Sequence, residues 1–237
     1  MKSITEQAAA LFGLQLTSEQ VAAFEIYAAE LAEWNAKFNL TTITEPQAVQ
    51  VRHFLDSLSI VQALPLQDRM RLIDVGTGAG FPGMALAIVF PEIDVTLLES
   101  TGKKVVFLDH VIDTLQLSNV HTLKARAEDA GQDRKHRAKY DLVLARAVAR
   151  LPVLLEYMLP LARVGGHCIA MKGQAAQDEV QQSANALKTL GGKVLTIESV
   201  QLPTVEDTHY LVIIEKNAPT HREFPRRAGD PQREPLQ

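Results

Sequence analysis

In the N-terminal part of the chain, apolar side chains recur every three or four positions. Val21, Phe24, Tyr27, Ala28, Leu31 and Trp34 form such a stripe. It predicts an amphipathic helix over 18–38 with Ser18 as its N-cap. A looser stripe of Val49, His53, Leu55, Leu58 and Val61 predicts a second helix from about Pro46 to Leu64, ended by Pro65. From residue 70 the pattern changes. Short apolar runs suited to buried strands occur at 71–75, 94–99, 120–124, 140–145, 167–171, 194–200 and 210–215. Helical patterns at 83–90, 103–117, 152–161 and 178–190 fall between them. Strand–helix alternation implies a mostly parallel sheet covered on both faces. The last two strands are joined by a segment with no helical pattern, too short for a parallel crossover, so they are expected to be antiparallel.

The predicted α/β architecture is Rossmann-like, a seven-stranded, mostly parallel sheet whose last strand is antiparallel, with an N-terminal helical extension. It divides into a helical section packed on the core (1–66), a sheet domain (67–217) and an irregular, basic, proline-containing and mobile tail (218–237). A parallel sheet finishing in an antiparallel hairpin is the arrangement associated with class I methyltransferases.

The first predicted strand runs into Asp74-Val75-Gly76-Thr77-Gly78-Ala79-Gly80-Phe81-Pro82-Gly83. Strand, glycine turn and helix in that order open a nucleotide-binding α/β unit. Glycines at Gly76 and Gly78 permit positive φ and let a ligand lie on the backbone. A GxGxxG pattern alone is a weak signal, and a tight turn without a ligand is the alternative. Asp74 changes the picture. An acid at the strand end repels a pyrophosphate but suits an ammonium or the turn's own amides. S-adenosylmethionine carries an ammonium and a sulfonium and no phosphate, so it fits this turn better than a dinucleotide.

Composition narrows the classes. The 237 residues are 46% hydrophobic and 22% charged, which predicts a folded globular core. No apolar run is long enough to span a bilayer, and the N-terminus lacks the pattern of a secretory signal. Cys168 is the only cysteine, which excludes an intrachain disulfide framework and points to a reducing, cytoplasmic setting. Seven histidines show no metal-ligand spacing, so no metal is expected. The net charge of −4 counts against a uniformly basic nucleic-acid coat, though not against a local basic face.

Further candidates sit at predicted strand ends, where open α/β sheets bind ligands. Glu99 ends the second strand, the place for an acid that accepts from ribose hydroxyls; an ordinary solvated strand end is the alternative. Ala127 and Glu128 follow the third strand, beside an adenine or simply at a helix start that favours acids. Arg146 ends the fourth strand and Lys172 the fifth. Both are candidate positioning groups, able to meet a carboxylate or an RNA phosphate, and no catalytic residue is certain. The basic run 134–139 reads first as a solvated loop. Trp34, Phe24 and Phe38 read as core, as does Cys168.

Several stretches together resemble one family. They are Trp34-Asn35…Asn39-Leu40-Thr41, Arg52-His53-Phe54-Leu55-Asp56-Ser57, the glycine turn, Glu99-Ser100 with Lys103-Lys104, Arg126–Glu128, Ala145–Ala147, Lys172-Gly173 and Phe224-Pro225-Arg226-Arg227-Ala228-Gly229. Their order and spacing resemble the bacterial 16S ribosomal RNA guanine-N7 methyltransferases, also called glucose-inhibited division protein B. Phe224 stands where a tyrosine is commoner, and the tail after it is more acidic than usual.

The resemblance implies methylation of a guanine in the 530 loop of 16S rRNA with S-adenosylmethionine as donor. Asp74, Gly76, Gly78, Phe81, Glu99, Ala127, Glu128 and Arg146 would serve the cofactor. Arg52, His53, Lys172, Arg226 and Arg227 would face RNA. The expected partner is 16S rRNA, the 30S subunit or its assembly intermediate, met by a monomer in the cytoplasm without a membrane. A nicotinamide-dependent oxidoreductase on the same turn and a non-catalytic ribosome-assembly factor are the rival readings.

Overall fold

The protein is described by a computed structural model over residues 3–237. Its N-terminal section comprises α1 (Ile4–Phe12), α2 (Ser18–Phe38), α3 (Pro46–Val49), a π-helical turn (Gln50–Leu55), α4 (Asp56–Leu58) and α5 (Ile60–Ala63). The remainder runs β1 (Arg71–Val75), α6 (Gly83–Val89), β2 (Asp94–Glu99), α7 (Gly102–Leu115), β3 (Val120–Lys124), α8 (Ala127–Gln132), β4 (Tyr140–Arg146), α9 (Leu151–Met158), β5 (Ala162–Lys172), α10 (Ala176–Gln181), α11 (Ala184–Leu190), β6 (Gly192–Val200), β7 (His209–Lys216) and α12 (Asp230–Arg233).

The seven strands form one sheet in the order β3-β2-β1-β4-β5-β7-β6. The pairings β1–β2, β2–β3, β1–β4 and β4–β5 are parallel. Strand β7 inserts antiparallel between β5 and β6. Side chains along each strand point alternately to the two faces, and the core divides accordingly. Leu72, Leu97, Leu142 and Leu144 pack with the N-terminal helices, α6 and α7. Ile73, Leu98, Val143 and Ala145 pack with α9, α11 and the C-terminal segment. Carboxyl ends of five parallel strands therefore open on one edge, where the sequence places its candidates.

Local deviations from the sequence reading have physical causes. Thr17, not Ser18, caps α2: its hydroxyl accepts from Gln20 N–H while the Gln20 side chain accepts from Thr17 N–H, a reciprocal box. Helix α1 lies within the section read as helical but carries no predicted stripe of its own; Ser3 and Glu6 give it the same capping signature. The helix expected at 178–190 is two, broken at Ser183, whose hydroxyl donates back to Glu179 C=O at 2.6 Å.

The tail is the main correction. It is docked across α8 and α9 rather than mobile. Arg137, from the run read as a solvated loop, donates to the carbonyls of Gly131, Phe224, Thr220 and His221. Gly131 leaves no room for a side chain, because a Cβ there would lie 2.7 Å from Pro225 Cγ. Arg226 closes a fork on Glu156, with Nη2 to Oε2 at 2.7 Å and Nε to Oε1 at 3.0 Å.

Candidate functional site

The glycine turn is held from three sides. Gly76 N–H and Thr77 N–H donate to Leu98 C=O at 2.9 and 3.1 Å. Asp74 Oδ2 accepts from the Thr77 hydroxyl at 2.6 Å and from Gly83 N–H at 2.8 Å. From the N-terminal section, the Tyr27 hydroxyl donates to Ala79 C=O. Gly76 has φ of 67°, and a Cβ there would stand 2.8 Å from Val148, so a side chain is excluded by conformation and by space. Asp74 is buried, and burial pushes its pKa up to about 6 despite those two bonds. Its Oδ1 has no hydrogen-bond partner among the described residues.

Two cavities flank the loop that follows β4. The smaller, about 190 Å³, is lined by Gly76, Glu99, Ala127, Glu128, Tyr157 and Gln232 among others. Glu99 Oε1 accepts from Thr101 N–H at 2.7 Å and Oε2 from Gly78 N–H at 3.2 Å. Glu128 Oε1 accepts from Gly229 N–H at 3.0 Å. Both acids retain accepting capacity toward the cavity.

The larger cavity, about 1120 Å³, includes Arg52, His53, Asp56, Arg146, Lys172 and His209 in its wall. Arg146 is the hub. Its Nη1 donates to Asp56 Oδ2 at 2.9 Å and to Arg52 C=O at 2.8 Å, and its Nη2 meets His53 Nδ1 at 3.1 Å. The guanidinium also lies 5.4 Å from the Phe81 ring centroid. Because arginine only donates, His53 Nδ1 accepts, and the ring proton sits on Nε2, 3.0 Å from the Thr41 hydroxyl. His53 stacks on Phe81 at 4.5 Å. Burial first, and the Arg146 charge second, push its pKa down to about 4. Asp56 Oδ1 takes the other histidine, His209 Nδ1, at 3.0 Å. Burial opposes ionisation of Asp56, yet His209 and Arg146 together hold its pKa below the usual value. The bond to Asp56 raises that of His209.

Between the cavities, Ala147 adopts φ of 56°, an uncommon conformation for a residue with a Cβ. The π-helical turn that carries Arg52 and His53 is likewise a rare form, frequent at functional sites.

The structure therefore brings Gly76, Glu99, Ala127 and Glu128 together at one cavity and Arg52, His53, Arg146 and Lys172 at the other. Asp74 and Phe81 lie behind the turn, buried. Lys172 is already engaged, at 2.7 Å from Glu179 Oε2 and 2.8 Å from Ala149 C=O. Arg226, expected to face RNA, is instead spent on Glu156, whose side chain is 1% exposed, so it anchors the tail. Arg227 remains exposed. Sequence reasoning missed Asp56, His209, Glu179 and Gln232 as wall residues. Asp56 was visible inside the Arg-His…Asp-Ser motif; the others come from strands or helices far away in sequence and carry no local signal. No group of three or more metal-ligating side chains occurs among the described residues.

A family model described as rRNA small subunit methyltransferase G matches residues 20–209. The chain belongs to that family. Full-length relatives agree: the ribosomal RNA small subunit methyltransferase G of Alkaliphilus metalliredigens is 45% identical over 99% of this chain and 98% of its own. That of Roseiflexus castenholzii is 49% identical over 95% of each. Among solved structures, a SAM-dependent methyltransferase from Aquifex aeolicus aligns with a TM-score of 0.56 at 17% identity, covering 75% of this chain and 97% of that one. The M. jannaschii TYW2 complex with AdoMet aligns at 0.52 and 14% identity, covering 68% and 74%. These two show the shared class I fold.

As a member of the rRNA small subunit methyltransferase G family, the protein is an S-adenosylmethionine-dependent methyltransferase of small-subunit rRNA. The smaller cavity fits that cofactor. Where a Cβ at Gly78 would stand, the nearest atoms are 4.0 Å away, leaving the turn open to a ligand. Two acids keep free acceptor positions, beside the exposed Arg126 of the same wall. The seven-stranded sheet with β7 antiparallel is the architecture expected from the sequence.

Proposed function

We propose that the protein methylates N7 of a guanine in the 530 loop of 16S rRNA. Guanine N7 carries an in-plane lone pair and no proton, so the transfer is a direct displacement that requires no general base. S-adenosylmethionine supplies an electrophilic methyl group on its sulfonium. The chain's own residues align the reactants, and alignment alone can account for a large share of the rate. In this reading Glu99 accepts from the ribose hydroxyls, Ala127 and Glu128 border the adenine, and Gly76 and Gly78 carry the ligand on their backbone. Asp74 holds the turn's shape. Phe81 supports the methyl-transfer side by seating His53 and Arg146.

Arg146 is a positioning group whose remaining N–H donors face the larger cavity. Arg52 and Arg227 are exposed cations suited to RNA phosphates. Lys172 shapes the wall through Glu179. The target is a loop nucleotide, because an A-form helix buries the N7 edge in a deep, narrow groove. The protein would act as a monomer in the cytoplasm, on 16S rRNA within the 30S subunit or its assembly intermediate. No helix among the described residues is long and apolar enough to cross a membrane.

One observation supports this reading most. An acid-lined cavity and a larger, cation-bearing cavity meet at the carboxyl edge of β1 and β4, separated only by the loop after Arg146. The test is transfer of labelled methyl to naked rRNA and to 30S particles from cells lacking the enzyme, mapped by cleavage specific for N7-methylguanine. Label at one guanine of the 530 loop is the expected result. Label elsewhere would keep the methyltransferase and discard the substrate assignment.

A further inference from the structure

The smaller cavity is walled mostly by strand ends, as in any open α/β sheet. Besides Tyr157 of α9, one wall residue stands outside that plan. Gln232 comes from α12 in the C-terminal segment, beyond residue 209, where the family match ends. Three anchors hold this segment in place. Arg226 forks onto buried Glu156, the chain before it is gripped by Arg137 and by Gln132, whose side chain donates to Pro225 C=O at 2.7 Å, and Pro225 fills the space beside Gly131. The fourth contact reaches the cavity itself, where Gly229 N–H takes one oxygen of Glu128. The segment is thus fixed against the acid assigned to the adenine. The Gln232 amide carries both donor and acceptor atoms and makes no hydrogen bond within the described residues.

We propose that the C-terminal segment completes the adenosine pocket and that Gln232 is a cofactor-binding residue that reads the polar edge of the adenine base. This rests on the assignment of the smaller cavity to the adenosine of S-adenosylmethionine. A primary amide can accept from the adenine amino group and donate to N7, a pairing that this edge of adenine offers and a base with a carbonyl in place of the amino group does not, because its carbonyl and N7 both accept. Glu128, with one oxygen held by Gly229, presents the other to the same edge.

The test is calorimetric and needs no turnover. S-adenosylhomocysteine and its deaminated analogue S-inosylhomocysteine, in which a carbonyl replaces the amino group, are titrated into the full chain and two variants. Gln232→Ala is expected to raise the Kd for S-adenosylhomocysteine about 3- to 10-fold, the loss of one or two net hydrogen bonds. Its melting temperature should stay unchanged, because the side chain is exposed. Gln232→Glu, which can still accept from the amino group but cannot donate to N7, is expected to weaken S-adenosylhomocysteine about 3- to 10-fold and to reject the inosyl analogue more strongly than the unmodified chain does, since its carboxylate then opposes both N7 and the carbonyl. An unchanged Kd for Gln232→Ala, or equal shifts for both ligands in Gln232→Glu, overturns the proposal while leaving the cofactor site standing. Failure of the unmodified chain to bind S-adenosylhomocysteine would overturn the cavity assignment and this proposal with it.

Discussion

The two cavities on either side of the Ala147 loop are built in opposite ways. In the smaller one the acids are held mainly by neutral backbone donors: Gly78 and Thr101 on Glu99, Gly229 on Glu128. In the larger one the charged side chains are held by each other: Arg146 with Asp56, Asp56 with His209, Lys172 with Glu179. A carboxylate fixed by amides is rigid yet still free to accept from a ligand. An arginine whose charge is matched by a buried aspartate is not free to meet a phosphate without exchanging partners, and that exchange costs energy. The smaller cavity is therefore ready to bind by hydrogen bonds, whereas the larger one shapes its guest and leaves phosphate attraction to the exposed Arg52 in its wall and to Arg227 in the tail.

Glu99→Ala would break the comparison on its ready side and should have the largest effect. It removes both the acceptor for the ribose and the clamp on Gly78 and Thr101. Each hydrogen bond to a charged group contributes about 1.5–3 kcal/mol, so the Kd for S-adenosylmethionine should rise on the order of 100-fold. RNA affinity should be unchanged. Calorimetry with the cofactor and a filter assay with RNA separate the two, and a matching loss of RNA affinity would mean that the cavities are not independent.

Arg146→Ala attacks the other side. It leaves Asp56, whose side chain is 4% exposed, with His209 as its one remaining charged partner. Removing one member of a buried pair costs about 3–5 kcal/mol, and somewhat less where, as here, the other end is partly open. Methyl transfer should fall about 10- to 100-fold in kcat/KM while the cofactor Kd moves less than about 3-fold. Arg146→Lys should not restore it, because a lysine cannot serve Asp56, His53 and the Arg52 carbonyl from one planar fork. Cofactor affinity falling as far as transfer would place Arg146 in both cavities.

How far the sequence reaches differs between the same two regions. The strand ends β1, β2 and β3 were legible to the residue: buried β1 and β2 read as near-continuous apolar runs, the edge strand β3 keeps only Val120 buried, and all three end beside recognisable acids and glycines. Gly76, Glu99 and Glu128 were found that way. The larger cavity depends on pairs far apart in sequence: His209 reaches Asp56 from β7, and Glu179 reaches Lys172 from α10. No local pattern encodes such pairs. The tail shows the same limit. Its prolines and arginines read as a mobile basic arm, but Glu156 lies unpartnered on the apolar face of α9 in any local view. Only the assembled fold reveals that Arg226 satisfies it.

The two histidines sharpen the picture through pH. His53 has its folded pKa depressed to about 4, so its contribution to stability is complete above its unfolded value near 6.5 and is lost as pH falls from there toward 4. His209 has a raised pKa, so its contribution is complete below about 6.5 and is lost as pH rises through the folded value. Removing them should tilt the stability profile in opposite directions. His53→Gln should lose less stability than the unmodified chain between pH 6.5 and 5, and His209→Gln should lose less as pH rises above 6.5. Thermal melts across that range read both. Profiles that tilt the same way would mean that the Arg146 network titrates as one unit.

The smallest effect separates a free cation from a spent one. Arg52 is exposed and its guanidinium makes no hydrogen bond within the described residues, so it can neutralise a phosphate and release a counterion. Arg226 is closed on Glu156 and cannot. Arg52→Ala should weaken RNA binding only a few-fold, and the slope of log K against log salt should shrink by about one ion, with melting temperature unchanged. Arg226→Ala should leave that slope as it is and lower the melting temperature, because it strands a buried carboxylate and loosens the segment that carries Gln232. The two substitutions remove the same charge from the same protein. A salt slope that changes with Arg226 would show the tail leaving Glu156 for RNA, and the division between positions that build the site and positions that attract the substrate would have to be redrawn at the tail.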